Sequence, residues 1–138
     1  MAQRDLVLPA YVGSEMRAAF NALGDMLTEL YAGPTKMEVV SDTSTARTLA
    51  LADEQTYIRC DNASAITVTV PPQSDVAWTD GAEIIIEQAG AGQVTVAAGA
   101  GVTIHTSQTL LSAAQYSVVT LKRVAEDEWV LGGDREAA

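Results

Sequence analysis

The feature that most constrains this chain is a run of short period-two segments from residue 81 to 133: AEIIIEQAG, AGQVTVAAGAGVTIHT, QYSVVTLKRV and EWVLGG. Successive side chains on a strand point to opposite faces, so each segment can bury one face and wet the other. Breaks at Thr79-Asp80-Gly81, Ala89-Gly90-Ala91-Gly92 and Gly99-Ala100-Gly101 punctuate the run. The same alternation starts at Lys36. Nine strands are predicted: Met37–Val40, Arg47–Leu51, Thr56–Cys60, Ile66–Val70, Glu83–Gln88, Gln93–Ala97, Val102–His105, Tyr116–Val124 and Glu128–Leu131. Pro71-Pro72 stops the fourth, because neither proline can donate to a sheet ladder. No helical pattern intervenes, which argues against a parallel α/β fold. The expectation is a mainly β domain over residues 35–138, an antiparallel sandwich or barrel. Gly99-Ala100-Gly101 also reads as the corner of a β-solenoid rung. A solenoid needs a repeat sustained at a fixed period, and only the pair of segments flanking this corner is evident.

Residues 1–34 read differently. An extended arm over residues 1–12, with Leu6, Val7, Leu8 and Pro9, has the character of a segment that lies along something else. A helix is predicted from Ser14 to about Ala32, with Ser14 as N-cap, Glu15 complementing the dipole and Gly33-Pro34 as the stop. Met16, Phe20, Leu23, Leu27 and Leu30 recur at spacings of 4, 3, 4 and 3, an apolar stripe of about two heptads. Two readings of the stripe stand side by side: a helix packed on the protein's own β domain, or one that self-associates or docks on a partner. A coiled coil this short is marginal in water, so the second needs help from the rest of an assembly.

Composition narrows the function. The hydrophobic fraction of 48% can fill a core, and with only 5% aromatic residues that core must be built from Val, Ile, Leu and Ala. Eighteen acidic against 8 basic residues give a net charge of −10. Such a balance disfavours nucleic acid and anionic membranes, which need clustered Lys and Arg, and it favours solubility at high local concentration. Neither a signal-peptide core nor a membrane-spanning run is legible, so synthesis in a reducing cytoplasm is expected. The single Cys60 excludes an internal disulfide and reads as a small buried hydrophobe.

The polar candidates for chemistry are thin. His105, the only histidine, ends the segment Val102-Thr103-Ile104 and is expected to face solvent or an interface. No orienting carboxylate or activated nucleophile can be paired with it by spacing. Asp53-Glu54 and Glu126-Asp127-Glu128 lack the alternating oxygen ligands and central glycine of a calcium loop, and read as solvated turns. Gly90, Gly92, Gly99 and Gly101 precede strands rather than a helix, so they read as turn glycines and not as a phosphate cradle. Trp129 alternates with Val130 and Leu131 and is expected in the core or an interface. Trp78, in the loop Ser74–Asp80, is the one predicted surface ligand contact, through stacking on a sugar. No cofactor, metal site or catalytic residue is expected, and the chain does not read as an enzyme.

The stretch TLALADEQTYIRCDNASAITVTVPP, then GAEIIIEQAGAGQVTVAAGAGVTI, then QYSVVTLKRVAEDEWVLGGD, resembles a small β domain of tailed-bacteriophage virion proteins, which include head-fibre, decoration and tail-fibre-like proteins. The YIRC strand, the VTVPP ending, a QAGAGQVTV hairpin and the closing EWVLGGD carry the resemblance, over residues 46–134. LPAYVGSEMRAAFNAL with its AGPT exit resembles the virion-attachment segment of some phage fibres. The resemblance implies a compact β knob on a virion rather than a long fibre, with Leu6, Leu8, Met16, Phe20, Leu23, Leu27 and Leu30 in docking and oligomerisation. It further implies a homo-oligomer, most simply a trimer, and other virion proteins such as the major capsid protein as partners. The alternative it leaves open is a tail-fibre or tail-tip module that binds host glycans.

Overall fold

The computed structural model describes residues 16–24 and 36–138. The chain divides into two compact units, Met1–Lys36 and Met37–Ala138. In the first, residues 16–24 form helix α1, inside the segment predicted to be helical. Met16, Phe20 and Leu23 lie on it with 44, 66 and 48% of their surface exposed. Ser14, Leu6, Leu8, Leu27 and Leu30 lie outside the described residues.

The second unit is mainly β, with nine strands: β1 (Glu38–Asp42), β2 (Ala46–Thr48), β3 (Thr56–Cys60), β4 (Ile66–Val70), β5 (Glu83–Gln88), β6 (Val94–Ala98), β7 (Thr103–Thr106), β8 (Val118–Ala125) and β9 (Glu128–Gly133). Each coincides with a predicted segment to within a few residues at its ends. Their pairing differs from the antiparallel arrangement expected. β1, β3 and β5 run parallel in one sheet, and β2, β4 and β6 run parallel in a second. The chain alternates between the sheets, so β1–β2, β3–β4 and β5–β6 are three stacked rungs of a solenoid-like body. Only β5–β8 and β8–β9 are antiparallel. Period-two alternation says that a strand has one buried face, but it is silent on the direction of its neighbour.

The repeat that a solenoid requires is present at 28 residues. Tyr57 pairs with Ile85 and Ile66 with Val94, so residues 57–70 lie directly against 85–98. The first rung is shorter, for Glu38 pairs with Thr56 and Ala46 with Thr67. Stacking sorts the interior into columns. Val40, Ile58, Ile86 and Val119 follow one another across the larger sheet, and Ile84, Leu121 and Leu131 form a second column. Ile66 and Val94, and Val68 and Val96, face them from the smaller sheet. Burying each such aliphatic side chain contributes about 1.5–3 kcal/mol.

Ala89-Gly90-Ala91-Gly92 is an arc between the two sheets, not a hairpin turn. A Cβ at Gly92 would stand 1.9 Å from the Ser64 carbonyl oxygen, and one at Gly90 2.4 Å from that of Asn62. The arc of the second rung therefore occupies the space that side chains of the third would need. These glycines are there for close stacking of rungs.

Beyond the third rung the construction changes. The larger sheet continues through the antiparallel hairpin β8–β9 and then β7, parallel to β9, in the order β1-β3-β5-β8-β9-β7. Beside β6, a bridge from Thr95 to Leu111 and another from Ser112 to Arg135 continue the smaller sheet.

Candidate functional site

Three of the polar groupings in the β unit involve candidate residues or charged pairs between strands, and each follows from where a strand places its side chains. The first closes the first rung. In β2 the middle residue, Arg47, pairs with Val68, whose side chain is buried, so the guanidinium takes an interior column position at the end of the stack. Asp42 occupies the corresponding position on β1, in register with buried Cys60. Arg47 Nη1 donates to Asp42 at 2.9 Å and Nη2 to Asp53 at 2.5 Å. The Ser44 amide and hydroxyl donate to Asp42 Oδ1 at 2.8 and 2.6 Å, and Asp53 accepts the Ala50 amide at 2.9 Å. Burial pushes the Asp42 carboxyl upward, but the hydrogen bonds from Ser44 and Arg47 outweigh it and hold the group below the ordinary range. Asp53 is buried, which corrects its reading as a solvated turn residue. The triad is a side-chain plug over the end of an apolar stack.

The second grouping lies on the outer face of the larger sheet. Parallel pairing puts Arg59 beside Glu87, and Arg59 Nε donates at 2.9 Å while the Tyr57 hydroxyl donates to the other carboxylate oxygen at 2.8 Å. Burial is the largest single influence on the Glu87 carboxyl and raises it, but the hydrogen bonds from Tyr57 and Arg59 with the Arg59 charge together outweigh it, so the group sits below its ordinary range. Burial and the Glu87 carboxylate together raise the Tyr57 phenol. Lys122 spans to the Gly81 carbonyl at 2.8 Å and to Glu83 at 3.5 Å. The third grouping is exposed: His105 Nε2 lies 2.8 Å from Glu128 Oε1 between β7 and β9.

Trp78 is not a surface contact. It is 4% exposed, and its ring meets Trp129 edge to face with centroids 5.2 Å apart. The loop of residues 71–82 turns inward. The indole N–H donates to the Pro71 carbonyl at 2.9 Å, so the one polar atom of the ring is satisfied inside. The Gln73 amide donates to Asp127 Oδ1 at 2.6 Å, tying this loop to the β8–β9 turn. Trp129 is fully buried in the core, as its strand position implies. Cys60 is a buried hydrophobe, and burial with the nearby Asp42 charge pushes its thiol up to about 11.

The Asp42–Arg47–Asp53 plug was missed in the sequence. Its signal there is an arginine at the centre of a short strand with acids five residues before and six after. Among the described residues no group of His, Cys, Asp and Glu is arranged to hold a metal ion, and no helix is long and apolar enough to cross a membrane. Comparison with protein-family models and with curated proteins finds no match for this chain.

Proposed function

We propose that this chain is a structural protein of a tailed-bacteriophage particle, a capsid decoration or head-fibre protein that docks through its N-terminal segment and is made in the host cytoplasm. The resemblance over residues 46–134 supports the class. The observation that carries the docking role is the contrast in apolar exposure. In the β unit the exposed apolar side chains, such as Val39, Leu51 and Val124, are scattered outside its buried columns, whereas α1 presents Met16, Phe20 and Leu23 exposed at helical spacing on one stripe. An exposed apolar stripe of this kind marks an interaction surface. Self-association, most simply a trimer, and contact with the major capsid protein are the uses this reading gives it.

The glycan-binding alternative has lost the aromatic contact predicted for it, since Trp78 is interior. The test is occupancy on particles that lack the protein. Wild-type chain should bind them, and a Phe20→Asp, Leu23→Asp double variant that keeps its β-sheet spectrum should not. Full occupancy by the variant would sink the docking role.

A further inference from the structure

Among the described residues the first rung ends the solenoid with two strands, each open along one edge. Among the described residues β1 pairs with β3 alone and β2 with β4 alone. The amide and carbonyl of one strand residue leave by the same edge, and the edge alternates along the strand. The Asp42 carbonyl accepts from the Asp61 amide on the β3 side, so Glu38, Val40 and Asp42 face β3. Met37, Val39 and Ser41 then face the open edge. In β2 the Thr45 carbonyl accepts from Thr67 and the Leu49 amide donates to Thr69. That leaves Ala46 and Thr48 facing outward, with the Ala46 carbonyl taking the Ser44 hydroxyl at 2.9 Å. The edge of β1 carries no proline and no bulge, two of the usual protections of a free edge, and its charges, Glu38 and Asp42, alternate with uncharged residues.

We propose that this double edge is an interface between two copies of the chain, related by a twofold axis perpendicular to the solenoid stack. The two edges belong to facing sheets that share one core, so the complementary partner is one that offers two edges at the same separation. A second first rung does so, whereas a single peptide strand could satisfy only one. A twofold operation turns each edge antiparallel to its own copy.

Charge selects the register. Pairing centred on Val40 would set Glu38 opposite Asp42 of the other copy, and like charges directly opposite are unfavourable. Pairing centred on Val39 sets Lys36 opposite Asp42, Met37 opposite Ser41, and Val39 opposite itself, with every open-edge group meeting another. It also covers Val39, the most exposed aliphatic side chain of the β unit at 62%. The proposal concerns the protein in solution and does not depend on particle docking.

The experiment uses the full chain. Ser41→Pro removes an open-edge N–H and leaves the β1–β3 ladder intact. Its mass by light scattering is expected to fall to half that of wild type. A second measurement reads the register through single cysteines. Identical residues at the centre of a hydrogen-bonded antiparallel pair lie about 5.5 Å apart at Cα, within disulfide reach. Val39→Cys should therefore cross-link copies under mild oxidation, while Ser41→Cys should not. Native Cys60 stays silent because it is buried with a raised thiol. A wild-type mass unchanged by Ser41→Pro, together with no Val39→Cys dimer, overturns the proposal. Cross-linking by Ser41→Cys instead overturns the register. Full particle occupancy by the Phe20→Asp, Leu23→Asp variant, with the Val39→Cys cross-link intact, would fault the docking reading and leave this one standing.

Discussion

The two ends of the solenoid are finished by different chemistry. At the far end the hairpin β8–β9 continues the larger sheet with full ladders, and its inner side chains Val119, Leu121, Trp129 and Leu131 are buried. At the near end the ladder stops among the described residues. Val40 is only partly covered, and the closing groups are Arg47, Asp42 and Asp53. A stack of parallel rungs buries its apolar columns only by having a neighbour on each side, so both ends need a cap. One end is capped by more protein and the other by an ion triad, which pairs both carboxylates with the Arg47 Nη groups but leaves backbone edges open. The first cap owes its stability to burial and the second to charge, so they should fail under different stresses.

The largest expected effect is at the hydrocarbon end. Trp78→Ala empties the space against Trp129 and should cost about 3–5 kcal/mol in urea unfolding, the range for deleting a buried large aromatic. A loss under 1 kcal/mol would mean that the ring is not packed as described. Next comes the ionic plug. Arg47→Met leaves two carboxylates facing each other with no cation between them, and should cost about 2 kcal/mol, less than a fully buried pair because the side chains keep some contact with water. An unchanged midpoint would show that the triad does not close the rung.

Acid should separate the ends further. The Asp42 carboxyl is lowered in the folded protein, so its contribution is fully present above the unfolded carboxylate value of about 3.9 and is lost as pH falls through the lower folded value. Below about pH 4, amides of β1 and β2 should begin to exchange while those of β8 and β9 hold. Simultaneous loss across both sheets would erase the distinction. The smallest effect belongs to the exposed His105–Glu128 pair: His105→Gln should change stability by no more than about 0.5 kcal/mol, and a larger change would show that this rim pair helps hold β7 on β9.

What the sequence made legible, and what it concealed, follows the same physics. Thr56–Cys60, Ile66–Val70 and Glu83–Gln88 stand where their alternation put them. Burial on one face is a local property, and five residues carry it. Pairing is not local. The 28-residue register of 57–70 on 85–98 was written in Thr67-Val68 against Thr95-Val96, and in Asn62-Ala63-Ser64 against Gly90-Ala91-Gly92. It was masked because stacking constrains shape more than identity. Cys60 sits in register with Gln88 and Arg59 with Glu87, and the shorter first rung breaks the period. Trp78 lay in a polar, proline-led loop, a pattern that reads as surface, and only the inward fold of residues 71–82 provides the Pro71 carbonyl that lets an indole be buried there. Arg47 is concealed for a related reason: alternation with Leu49 puts it on the inward face, and only Asp42 and Asp53 beside it let a guanidinium sit there.

The asymmetry between the ends is tested most directly by residue-resolved amide exchange on the full chain across a dilution series. The open-edge amides of Val39, Ser41 and Thr48 should be protected at high concentration and lose protection on dilution, while ladder amides of β8 and β9 exchange at one slow rate throughout. Fast exchange of Val39 and Ser41 at every concentration, or opening of the β8–β9 hairpin before the first rung, would contradict the account.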